Sequence, residues 1–135
     1  MHFHRLGLFA AVSMLAVGLT GPAVPAHAAG GDHLTVTLTD SGDDNGTYRI
    51  HCHPAHSQGY ADPQAVCDQL DEATVWGTDP FAPVPPDAAC TMIHGGPQLA
   101  HVTGHWAGRP VDADFSRVNG CEIDRWDKFS KLLRG

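Results

Sequence analysis

Met92 and Ile93 are two large apolar side chains in the run Cys90-Thr91-Met92-Ile93-His94-Gly95-Gly96-Pro97, between a proline-rich stretch and a glycine pair. Gly95 and Gly96 permit an abrupt change of direction, and Pro97 resists helix. If a disulfide ties Cys90 down, the segment is a tethered loop with an apolar tip. Such a tip is costly to leave in water, so it points to a protein partner that covers it. The pattern alone fits equally well a strand that starts at Met92 and is buried.

Other residues offer different chemistry. The chain has ten histidines, and His51, His53 and His56 lie close enough in sequence to converge on zinc or copper, with His51 and His53 expected on one strand face. No carboxylate or cysteine at a recognised ligand spacing accompanies them, so no metal or cofactor is expected and a secreted metal-binding domain stays as the alternative. His101 and His105 alternate onto one strand face, toward solvent or a dimer surface. There is no Gly-x-Ser-x-Gly elbow, no His-Glu-x-x-His and no phosphate-cradling glycine loop, so no catalytic residue is assigned and no enzyme is expected. A third reading is a disulfide-bonded extracellular interaction module, which would tolerate changes at Met92.

The chain has 135 residues, with 15 Asp and Glu against 8 Lys and Arg and a formal net charge of -7. A nucleic-acid partner would have to bind against that field. At the start, His2, His4 and Arg5 precede an apolar run from Leu6 to Leu19, followed by Ala26-His27-Ala28; this reads as a signal peptide over 1–28, removed on export. One secreted domain over 29–135 is then expected, with no later stretch long enough to span a bilayer. A domain this small gains noticeably from covalent staples. Cys52, Cys67, Cys90 and Cys121 all lie in the exported part, and an even count argues for two disulfides. Three connectivities are open. The pairing preferred here is Cys52–Cys67 with Cys90–Cys121, because each closes a moderate loop worth about 3 kcal/mol.

The elements that must position these residues follow from periodicity. Leu34, Val36 and Leu38 alternate with threonines, giving a strand with an apolar face. A polar turn over 40–46 leads to a second strand with Tyr48, Ile50 and Cys52 on one side. Asp62-Pro63 is a helix start, Asp as N-cap and Pro in the first turn, and Val66, Leu70 and Ala73 share a face. Pro80, Pro83, Pro85 and Pro86 make residues 79–87 an extended connector. Leu99 to Trp106 and Val111 to Val118 read as a hairpin around Ala107-Gly108-Arg109-Pro110, so the sheet is mainly antiparallel. Ile123, Trp126, Phe129 and Leu133 recur at helical spacing after Cys121.

Cys90-Thr91-Met92-Ile93, the Val102-Thr103-Gly104 to Trp106-Ala107-Gly108 hairpin, and Phe115 through Asn119-Gly120-Cys121-Glu122 resemble the Streptomyces subtilisin inhibitor family. Upstream, Cys52-His53-Pro54, Gly59, Ala65-Val66-Cys67 and Leu70 match in order and spacing. The resemblance covers nearly all of the mature chain. Its most specific parts are the four-cysteine framework and the Cys-x-Met loop.

That resemblance implies an α+β two-layer fold, with a five-stranded antiparallel sheet, two short helices and two disulfides, and a homodimer formed through the sheet. It implies a secreted inhibitor that binds subtilisin-like, and by extension chymotrypsin-like, serine proteases in the manner of a substrate. Met92–Ile93 would be the reactive bond, with Ala89, Cys90, Thr91, His94 and Gly95 contacting the protease and Asn119 bracing the loop by side-chain hydrogen bonds. The chain departs from the family at Thr91, where proline is common, at His94, where an aromatic residue is common, and at Gly95-Gly96-Pro97 in place of Asp-Pro. These departures bear on target preference.

Overall fold

The structure, a computed structural model, describes residues 31–135 together with Gly18 and Gly21. Apart from those two glycines, the expected export signal lies outside the described residues. Five strands form one antiparallel sheet: β1 Asp32–Thr39, β2 Gly46–Cys52, β3 His56–Gln58, β4 Leu99–Trp106 and β5 Arg109–Phe115, in the order β3-β2-β1-β4-β5. Two helices, α1 Pro63–Ala73 and α2 Gly120–Asp127, complete the fold.

Period-two alternation places Leu34, Val36 and Leu38 of β1 on the inner face beside Ile50, Val102, Ala113 and Phe115, all buried. Val66, Cys67 and Leu70 of α1 and Trp126 of α2 close over that face, with Phe129, Leu132 and Leu133 beyond α2. The threonines and histidines of the same strands make up the opposite face. Asp62 caps α1 by accepting the Ala65 N–H at 3.0 Å, with Pro63 in the first turn, where a missing N–H costs nothing.

Both disulfides have the preferred pairing, with Cα–Cα distances of 5.6 Å for Cys52–Cys67 and 5.3 Å for Cys90–Cys121. The first pins α1 to the end of β2. The second ties the segment before Met92 to the first turn of α2.

Three elements differ in extent from the sequence pattern. The β4–β5 turn is only Ala107-Gly108, both at positive φ, so Arg109 and Pro110 belong to β5. A proline is tolerated there because β5 is an edge strand. The third strand, β3, is three residues long and polar, too short to carry a visible alternation. The C-terminal helix begins at Gly120 and ends at Asp127, so Phe129 and Leu133 reach the core from turns that follow it rather than from the helix.

The proline-rich connector is held from inside. Phe81 stacks on Phe129 with ring centroids 5.0 Å apart. Arg125, buried in α2, donates to the Phe81 carbonyl at 2.9 Å, the Ala82 carbonyl at 3.0 Å and the Asp114 carbonyl at 2.6 Å. Its guanidinium also lies 4.0 Å from the centroid of the Phe115 ring. Three carbonyls satisfied by one planar fork, with the Glu122 carboxylate 3.6 Å from Nη1, make burial of that charge tolerable. The connector therefore reaches Cys90 along a fixed path.

Candidate functional site

Residues 88–98 have neither helix nor strand, yet both ends of the Met92–Ile93 segment are fixed. On one side, the Thr91 carbonyl accepts the Gly120 N–H at 2.9 Å, next to the Cys90–Cys121 disulfide. On the other, the Gly95 N–H donates to the Arg117 carbonyl at 2.7 Å, and Arg117 Nε donates back to the Gly95 carbonyl at 3.3 Å. Between these clamps Met92 is 90% exposed and Ile93 63% exposed. The alternative of a buried strand starting at Met92 is thus not what the chain adopts.

The start of α2 explains the first clamp. Asn119 Oδ1 accepts the Glu122 N–H at 3.0 Å and caps the helix. An N–H in a helix's first turn has no intrahelical acceptor, so that of Gly120 is available to Thr91. Asn119 therefore supports the loop through the helix it starts; its own side-chain bond is to Glu122. A Cβ on residue 120 would collide with Thr91 Oγ1, so any other residue there needs the Thr91 side chain to turn away. Thr91, Gly120 and Cys121 thus interlock.

The second clamp rests on packing. A Cβ on residue 95 would come within 2.9 Å of Ile123 Cδ1 and Cγ1, so glycine lies against α2 here without displacing Ile123. Arg117 is aimed by Asp127, which accepts from Nη1 at 3.2 Å, with the guanidinium 5.7 Å from the Trp126 ring centroid. His94 Nδ1 accepts the Gly96 N–H at 3.2 Å, turning the chain beyond Ile93. Ala89, Met92, Ile93 and His94 are all exposed along this ridge. Arg117, Gly120 and Ile123 carry the loop, and the residue pattern singles out none of them for that role. A signal was present only in the close spacing of Arg117 and Gly120 to Cys121.

No protein-family model and no curated protein matches this chain. Among solved structures it is similar to Streptomyces caespitosus sermetstatin, seen in complex with Bacillus licheniformis subtilisin, at 21% identity and a TM-score of 0.39 over 76% of this chain and 89% of that one. Among the described residues, no helix is long and apolar enough to cross a membrane.

Of the three histidines expected to share a metal, His51 and His56 face each other across β2 and β3, and His53 stands apart from them. His53 lies past the end of β2 at a positive φ of 61°, which takes it off the strand face that His51 occupies. Its Nδ1 pairs with Asp32 at 2.8 Å and its Nε2 with Asp71 at 3.1 Å, joining β1 to α1. Hydrogen bonds to Asp71 and then Asp32 raise its pKa above the ordinary 6.5. Stability from a raised pKa is fully present below the unfolded value of 6.5 and is lost as pH rises through the folded one. The difference in thermal midpoint between the wild type and His53→Gln should therefore be largest near about pH 5.5 and shrink by about pH 8. The side chain is 52% exposed, so the effect is small. A gap that widens toward alkaline pH in the same melting series would contradict the assignment.

Proposed function

We propose that the domain is a secreted inhibitor of subtilisin-like serine proteases that offers Met92–Ile93 as a substrate-like bond and is not itself an enzyme. The observation that carries the reading is a methionine 90% exposed between two fixed flanks. A segment already held in place binds a cleft without first losing backbone entropy, so rigidity is converted into affinity.

The two clamps also account for slow turnover. If the protease cuts Met92–Ile93, the Met92 end stays attached through Thr91, Cys90 and the disulfide. The Ile93 end stays attached through Gly95 and Arg117. The new carboxylate and amine remain close together, so religation competes with release. Thr91, in place of the family's proline, is held through its carbonyl by the Gly120 N–H.

Met92 is long, unbranched and flexible, which suits a broad apolar pocket of the subtilisin or chymotrypsin kind. A trypsin-like pocket would bury its carboxylate against an uncharged side chain and leave it unpaired. Protease–inhibitor interfaces bury about 1,600 Å² in total and rank among the tightest known. Titration of a fixed amount of subtilisin with the mature protein should give a linear fall in activity to a stoichiometric end point, with little effect on trypsin. If subtilisin stays active and digests the protein, the reading fails.

Export belongs to the same proposal, and the two disulfides are compatible with an oxidising extracellular setting. A homodimer through the sheet is carried by the family resemblance alone.

A further inference from the structure

Four histidines that are scattered in sequence stand in one row across the outer face of the sheet. The strand register pairs His56 of β3 with His51 of β2, His51 with His33 of β1, and His33 with His105 of β4. Ring centroids along the row are 4.3 Å, 5.8 Å and 5.7 Å apart. His51, His56 and His105 are exposed and His33 is half-buried. Neither the core nor the Met92 loop uses them.

We propose that this cross-strand row binds a divalent transition-metal ion of the imidazole-preferring kind, zinc or copper, held first between His51 and His56 with His33 next in line. Two imidazoles sharing one ion at metal–nitrogen distances of about 2.0–2.1 Å hold their ring centroids about 4.5–5.5 Å apart. The spacing set by the strands is already within a few tenths of an ångström of that range. Among the described residues no three His, Cys, Asp or Glu side chains stand as a ready-made metal cage. The site is therefore a two-imidazole clamp, reached by turning exposed side chains on a fixed backbone, with solvent completing the coordination. Imidazole suits zinc and copper, and carboxylate-preferring magnesium or calcium would find no suitable ligand set here.

One further feature favours the site. His33 Nδ1 donates to the Gly31 carbonyl at 3.1 Å, the kind of outer hydrogen bond that orients an imidazole ligand and fixes its tautomer.

The proposal is independent of the protease reading, and so is its test. Zinc chloride is titrated calorimetrically into the mature protein in a non-coordinating buffer at about pH 7.5 and about pH 5.5. Saturable binding is expected at the higher pH, strongly weakened at the lower. His51→Asn/His56→Asn should abolish it while subtilisin inhibition and the melting temperature stay as in the wild type. His53→Gln should leave it intact, although His53 lies between the two in sequence. Absence of saturable binding, equal affinity in the double variant, or loss in His53→Gln would each overturn the row as the site.

Discussion

On the proposed reading, replacing Cys90 and Cys121 together by serine is expected to let subtilisin digest the protein rather than stall on it. In the chain-entropy model this disulfide, with a sequence separation of 31, contributes about 3.7 kcal/mol to folding. Its larger effect is local, because it is the only covalent tie between the Met92 side of the loop and α2. Without it, the Thr91 carbonyl is held by the single Gly120 N–H bond. The released end then leaves the cleft faster than the bond re-forms. Progress curves should show inhibition that decays within the assay, with cleavage at Met92–Ile93 visible by mass spectrometry. The other disulfide is the control. Cys52→Ser/Cys67→Ser costs about 3 kcal/mol by the same model but leaves the loop tied. Permanent inhibition by the Cys90/Cys121 variant would mean that the hydrogen-bonded clamps suffice.

Met92→Gly should weaken subtilisin inhibition by about 3 kcal/mol, roughly a hundredfold in Kd. Burying a methionine that is 90% exposed in the free protein supplies most of that figure, and the added backbone freedom of glycine supplies the rest. Met92 is outside the core, so the melting temperature should stay unchanged, which separates lost contact from lost fold. Inhibition constants for the two proteins, measured with one enzyme preparation, give the answer. Equal constants would favour a module whose loop is tolerant of change and would remove Met92 as the anchor.

These expectations rest on features of different legibility. The alternation of Leu34, Val36 and Leu38, the Asp62-Pro63 cap and the helical face of Val66 and Leu70 could be read directly, because each is set by neighbours within a turn or a strand repeat. The disulfide pairing could be narrowed but not fixed, since loop length separates three connectivities only weakly. Met92 and Ile93 were equally consistent with an exposed tip and a buried strand. Pattern reports side-chain type, and burial depends on what the remainder of the chain brings alongside.

The sequence by itself thus determined the strand faces, the first helix and its cap, the stiff connector and an apolar pair beside a cysteine. Only the tertiary structure decided that this pair is clamped on both sides, through Gly120 and Thr91 and through Arg117 and Gly95, which are 22 residues apart. It also buried Arg125 under the connector, gave His53 to Asp32 and Asp71, and lined up His56, His51, His33 and His105. The physical reason is common to all of these. Periodicity acts between residues close along the chain, whereas clamps, charge burial and cross-strand rows depend on register and chain reversal, which are settled only when the whole core packs.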